Sequence, residues 1–396
     1  MENRFIIKSS DILLFILYFY VARNILNEII PLFNFFDEIL GFVGLLLIVY
    51  RSKKVKNGFS FGCLLFILAG LISSYMCQFQ PLISVTLPDM YLCIKFWLWI
   101  AVGVYCTARD AESIYKKLLF HAKLITVLIF IATMLDSVFH IFNEMNDVKM
   151  GMRSVGLWDG PASLSSTAFT LLCILQYEYG NKNALVYKFM NLIILVLTLR
   201  YKSLAVVAVY VMISVFRTCG VKKLKIWHLV MLMILAILVA QEQLNIYIET
   251  SEVNARSVLW INSVILAYMY APLGTGFGTF ASYFSGVNYS PVYSMLGIDS
   301  IFGLSEDNPN FVSDTFWPAI IGQTGLLGTI GYIIAILTLI RRFDHWRIKN
   351  KNIYFSGMLM LVYLLLTSIS ESAFLHWNAF MMAVLMGVII KDSSKV

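Results

Sequence analysis

Four basic residues stand apart from the basic clusters of the chain: Arg153, Arg200, Lys202 and Arg256. Each sits in a short motif at the end of an apolar run. A guanidinium offers two parallel donors to a phosphate and keeps its charge in a low-dielectric setting. As a set, the four read as an anion site. Arg200 and Lys202 fall in Leu199-Arg-Tyr-Lys-Ser203, between two apolar runs each about 14 residues long, too short for a comfortable membrane crossing. Cations at that depth are costly unless they face a polar cavity or an anionic partner.

Two glycine-rich segments accompany these cations. Pro272-Leu-Gly-Thr-Gly-Phe-Gly278 follows no strand and lacks dinucleotide spacing, so it reads as a tight loop where backbone approaches backbone or a ligand. Gly322, Gly325, Gly328 and Gly331 recur at every third position and leave a thin strip for a neighbouring helix. Asp314 precedes that series by eight residues, at the mouth of an apolar run.

Other chemistries find no support. There is no Walker A sequence, and the five histidines lack metal-ligand spacing. Asp136 and His140, at i and i+4, read as a polar pair at a helix end. The six cysteines form no C-x-x-C pair and mostly lie within or beside apolar runs, as small hydrophobes do.

The elements that must position these residues are membrane spans. Of 396 residues, 59% are hydrophobic and 13% charged, with mean hydropathy +0.78. A soluble domain cannot bury so large an apolar share, and disorder, a disulfide scaffold and nucleic-acid binding are excluded together. Apolar runs predict spans near 11–30, 35–50, 61–80, 89–107, 118–142, 161–178, 186–199, 203–216, 227–241, 316–340, 353–371 and 377–390. The expected fold is an all-α polytopic membrane protein of about twelve transmembrane helices. The expected division is nine helices in 1–241, an extracytoplasmic loop over 242–315, and three helices in 316–396. Within the loop, Val258 to Tyr270 is too short to span and is expected to lie along the interface or pack on the bundle as an amphipathic helix.

Charge sets the orientation. With the N-terminus in the cytoplasm, 22 of the 30 Lys and Arg residues fall on the cytoplasmic side, among them Arg51–Lys56, Arg217–Lys225 and Arg341–Lys351. Only Lys149, Arg153, Arg200, Lys202 and Arg256 fall outside, while Arg23, Lys95 and Lys123 lie within spans. Both termini are then cytoplasmic. The first apolar run has no small-residue cleavage site after it and reads as an uncleaved helix.

Three segments together resemble the O-antigen and capsule repeat-unit polymerases of the Wzy type, within the O-antigen ligase/polymerase superfamily. They are Arg153-Ser-Val-Gly-Leu-Trp-Asp-Gly-Pro161, Arg256 with Pro272–Gly278, and Ser313-Asp-Thr-Phe-Trp-Pro318 leading into Gly322–Gly328. The resemblance implies a membrane-embedded glycosyltransferase without metal or cofactor. It would join undecaprenyl-diphosphate-linked oligosaccharide repeats on the outer face of the bacterial cytoplasmic (inner) membrane. Its partners would be that lipid-linked glycan, membrane lipid, a chain-length regulator and a flippase, with no nucleic acid. On this view Arg153, Arg200, Lys202 and Arg256 bind the diphosphate, Arg256 and Asp314 are catalytic, and Glu371 and His376 are reserve bases. The ligase branch typically carries His before its glycine-rich helix, where this chain has Asp314, which favours a polymerase over the O-antigen ligase that is the alternative within the superfamily. A twelve-span transporter or flippase of lipid-linked sugars is the alternative of another class. Carriers usually show related halves, and the large late loop makes this chain asymmetric.

Overall fold

The computed structural model describes residues 9–51, 58–105, 111–139, 160–239 and 254–391. All secondary structure among them is helical. An apolar run surrounded by lipid has no water for its N–H and C=O groups, and a helix satisfies them internally. The long helices are α1 (Ser9–Ile29), α2 (Phe36–Arg51), α3 (Gly58–Cys77), α4 (Leu87–Tyr105), α5 (Ala111–Phe139), α6 (Pro161–Leu175) and α7 (Lys182–Leu197). They continue with α8 (Tyr201–Thr218), α9 (Ile226–Val239), α10 (Ala255–Met269), α11 (Phe316–Phe343), α12 (Lys351–Thr367) and α13 (Phe380–Lys391). Six stretches, over α1, α2, α4, α5, α8 and α11, are long and apolar enough to cross a membrane; α3, α10, α12 and α13 are apolar and shorter.

Phe15, Phe42, Leu64, Phe120, Leu128 and Phe189 project from the bundle surface. Such an apolar periphery suits lipid and not water. The interior is equally apolar, and α13 buries every residue from Phe380 to Ile390. The chain is a multi-pass membrane protein.

Close crossings hold the interior together. Gly103 of α4 meets Gly387 of α13, and a Cβ on either would collide with the other helix's backbone carbonyls. Gly62 of α3 and Gly331 of α11 form a second such crossing. Without a hydrophobic drive between helices in lipid, small residues that admit backbone contact are what permit tight packing.

The strip of glycines predicted along α11 is therefore only partly a helix-packing strip. At Gly325 the backbone leaves helical geometry (φ 60°, ψ −158°), and α11 is two half-helices joined there. The glycine-rich loop fills the break. Thr275 N–H donates to the Gly322 carbonyl (3.0 Å), Gly276 N–H to Gln323 (2.8 Å), and Leu327 N–H to Pro272 (3.1 Å). Carbonyls freed by the break are thus satisfied by backbone, as a buried site requires. A side chain at Gly325 would strike the Leu273–Gly274 backbone in a conformation that L-residues disfavour.

The described part of the segment between α9 and α11 folds onto the bundle. Phe280, Val292, Tyr293, Leu304 and Val312 form a small core with Leu259 and Leu266 of α10 and Ala319 of α11. Helix α10 is short and packs on the bundle, as expected. It buries Val258, Leu259 and Leu266, yet its other face, with Ile261, Val264, Ile265 and Tyr268, is apolar and exposed. Both faces are apolar because one packs on protein and the other is suited to lipid.

Candidate functional site

Helices α6, α8, α10, α11 and α13 begin, and α12 ends, around one cavity of about 240 Å³ whose lining includes Arg256, Asp314, Glu371 and His376. Local devices bring Arg256 to its wall and Arg200 and Lys202 to the Glu371 that lines it. The chain breaks between α7 and α8, where Leu199 takes a positive φ of 45°, and α8 restarts with Arg200 at its N-cap and Lys202 in its first turn. Two cations at the positive end of a helix oppose its dipole, so an anion must answer them. Glu371 does. Its Oε1 accepts from Lys202 Nζ at 2.8 Å and from the Arg200 guanidinium.

Arg256 lies in the first turn of α10, where Asn254 caps the helix by accepting from Arg256 N–H at 3.0 Å. Burial of Leu259 and Leu266 fixes the helix against α11 and brings the Arg256 guanidinium to Asp314, 2.7 Å from Oδ2. Asp314 does not cap α11: Thr315 is the N-cap residue, and no side chain makes the cap hydrogen bond. The carboxylate is held by an ion pair and not by a helix end.

Glu371 sits in the turn after α12. Trp317 Nε1 donates to Ser368 Oγ (3.0 Å) and Trp260 Nε1 to the Ile369 carbonyl (3.1 Å), so α11 and α10 both anchor that turn. Burial pushes the Glu371 carboxyl up, but the Lys202 and Arg200 charges and hydrogen bonds outweigh it and hold the pKa below the usual carboxylate range. Glu371 is therefore an ionised partner of cations. His376 caps the short turn Trp377–Ala379, its Nδ1 accepting from Asn378 N–H at 3.3 Å. Surrounding protein and the nearby Arg23 charge lower its pKa, so the ring is neutral at pH 7. With Nδ1 engaged, its Nε2 carries the proton and is a donor. Glu371 is thus engaged by two cations and His376 Nδ1 by a backbone N–H.

Arg153 lies outside the described residues, as do His140 and Lys149. The other predicted site residues, Arg200, Lys202, Arg256, Asp314, Glu371 and His376, are gathered at this one end of the bundle. Among the described residues, no group of three His, Cys, Asp or Glu side chains is placed to hold a metal ion.

Sequence reasoning missed two supporting networks. Behind His376, Arg23 lies over the Trp377 ring at 4.3 Å and pairs with Asp37 at 3.7 Å. Lys95 of α4 reaches Asp37 (2.8 Å) and Glu38 (2.9 Å) at the start of α2. The signal was present as two cations within spans and an Asp-Glu pair at a span mouth. The second network is Asp89, fully buried in the first turn of α4, whose Oδ2 accepts from Gly278 N–H at 2.8 Å. It ties the end of the glycine-rich loop to α4, and a lone acid opening an apolar run was its only trace.

Fold and site together define a multi-pass helical membrane protein with a charged cavity at one end of its bundle. No family model matches the chain, and no curated protein or solved structure is significantly similar to it.

Proposed function

We propose that this protein is a metal-independent, inverting glycosyltransferase that polymerises undecaprenyl-diphosphate-linked oligosaccharide repeats on the outer face of the bacterial cytoplasmic membrane. The observation that carries the reading is that Arg256 and Asp314 line one cavity with Glu371, whose Oε1 holds Arg200 and Lys202, from positions far apart in sequence. A hydroxyl of the incoming repeat attacks C1 of the sugar on the growing chain's diphosphate. The C1–O bond breaks, its electron pair leaves with undecaprenyl diphosphate, and the hydroxyl proton passes to Asp314. Departure of a group already rich in negative charge needs fixed cations, which Arg200, Lys202 and Arg256 supply.

Orientation is supported by the other end of the bundle. There Lys223 pairs with Asp344, and Arg217 donates to Asn352, among the basic clusters that the positive-inside rule puts in the cytoplasm. That leaves the cavity on the outer side, with about twelve spans and both termini cytoplasmic.

One observation favours a carrier: α11 is interrupted, as transporter helices are at their binding sites. Here the freed carbonyls of Gly322 and Gln323 face loop backbone and not a cavity, which makes the break a structural joint. The test is the glycan profile of a host lacking the gene and complemented with wild type or Arg256→Ala. Long-chain glycan is expected only with wild type. Full-length ladders from the Ala variant, at normal membrane levels, contradict the reading.

A further inference from the structure

We propose that Glu371 and Asp314 are resident anions, holding the cavity's cations until a diphosphate displaces them, and that this displacement is what frees Asp314 to take a proton. The inference rests on the functional reading above and adds to it an order of events.

The geometry is that of a stand-in. Glu371 presents a single oxygen, Oε1, to both Arg200 and Lys202, as one phosphate oxygen would. Asp314 presents Oδ2 to Arg256 at 2.7 Å. None of these pairs is sealed: side-chain exposure is 31% for both Arg256 and Asp314, 28% for Glu371, 21% for Arg200 and 17% for Lys202. An incoming anion can therefore reach the cations, and each carboxylate can turn toward the cavity. A diphosphate brings more negative charge than either carboxylate and at least four non-bridging oxygens that match several donors at once. An Asp314 carboxylate released from Arg256 can turn either oxygen to the attacking hydroxyl, so filling the leaving-group site favours proton transfer and an empty site holds the carboxylate in place. Glu371, bound to two cations and tethered by its turn, sets the threshold that the diphosphate must exceed.

Binding of inorganic pyrophosphate to the purified full-length protein in nanodiscs tests this without relying on turnover. Asp314→Asn and Glu371→Gln keep the side-chain shape while removing the competing charge. Each is expected to tighten pyrophosphate binding by about tenfold, the equivalent of releasing one charge-assisted hydrogen bond. Asp299→Asn, in the outer segment away from the cavity, is expected to bind like wild type. The gain from Asp314→Asn must disappear in an Arg256→Ala background, because without Arg256 there is no cation for the two anions to contest. Wild type that binds pyrophosphate, with variants no tighter, overturns the displacement and leaves the anion site standing. A gain that persists without Arg256 also overturns it, since a general field and not competition is then at work. Failure of every folded form to bind pyrophosphate removes both the displacement and the anion site.

Discussion

Replacing Gly274 with alanine is a local change with a calculable effect on the site. A Cβ there would collide with the Gly322 carbonyl and lie 2.5 and 2.6 Å from the carbonyl carbon and oxygen of Gln323, all of it backbone. Neighbours of that kind cannot swing aside, so the loop must lift by roughly 0.5–1 Å to reach ordinary contact. Two hydrogen bonds sit at that contact, Thr275 N–H to Gly322 at 3.0 Å and Gly276 N–H to Gln323 at 2.8 Å. Both then pass the distance at which such bonds hold. Leaving two buried backbone pairs unmade costs about 2–4 kcal/mol. The half-helix preceded by Asp314 loses its support, and misplacement on the order of 1 Å is worth about 100-fold in rate. The assay is thermal unfolding in detergent by tryptophan fluorescence, followed by the glycan ladder. Gly286→Ala, where a Cβ meets only side-chain atoms at 3.4–3.6 Å, is the control expected to behave like wild type. A Gly274→Ala protein with wild-type melting and full polymer would refute the claim that loop and broken helix are mutually supporting.

Asp314→Asn is expected to leave a folded, inserted protein that yields single-repeat product, with a loss of about 10²–10⁴-fold as befits a general base; wild-type polymer from it removes Asp314 from proton transfer. Because the Glu371 pKa is lowered on folding, its ion pairs stabilise the protein fully above the unfolded carboxylate value and lose that contribution as pH falls through the depressed one. Melting of wild type should therefore exceed that of Glu371→Gln at pH 7, with the gap closing below about pH 4; a gap constant with pH would show that charge is not its source. Reporters fused after Lys225 and Lys351 should read cytoplasm and those at Asp299 or Glu306 the outer side. An outer signal at Lys225 would invert the helices downstream and place the cavity on the wrong face.

The helices and the cations were legible because both follow from local rules. Apolar length marks a helix, and a basic pair such as Arg200 and Lys202 between two short runs marks a break. The residues of the cavity come together because each stands at a helix end on the same side, a parity that alternating spans impose. Partnerships were not legible. Nothing in sequence says that Arg256 reaches Asp314 across 58 positions, or that Lys95 finds Asp37 and Glu38. These pairings depend on how helices cross, and those crossings are set by glycines such as Gly103 and Gly387, with no periodic signature of their own. The break at Gly325 was hidden for a related reason. A glycine that admits a neighbouring helix and one that admits a loop look alike until the partner is in place. Asp314 likewise has the residue type and position of a cap, and only the structure puts Thr315 there instead.

In the proposed reaction Arg200, Lys202 and Arg256 drive glycosyl transfer from a lipid diphosphate. Purified protein incubated with a synthetic undecaprenyl-diphosphate-linked repeat tests it directly, following polymer and released undecaprenyl diphosphate together. The account predicts one undecaprenyl diphosphate released per linkage formed by wild type, and neither product from Arg256→Ala or Arg200→Ala, with Arg→Lys restoring little because a point charge cannot make the bidentate contact. Wild type that forms no polymer but moves the lipid-linked repeat across a vesicle membrane would contradict it.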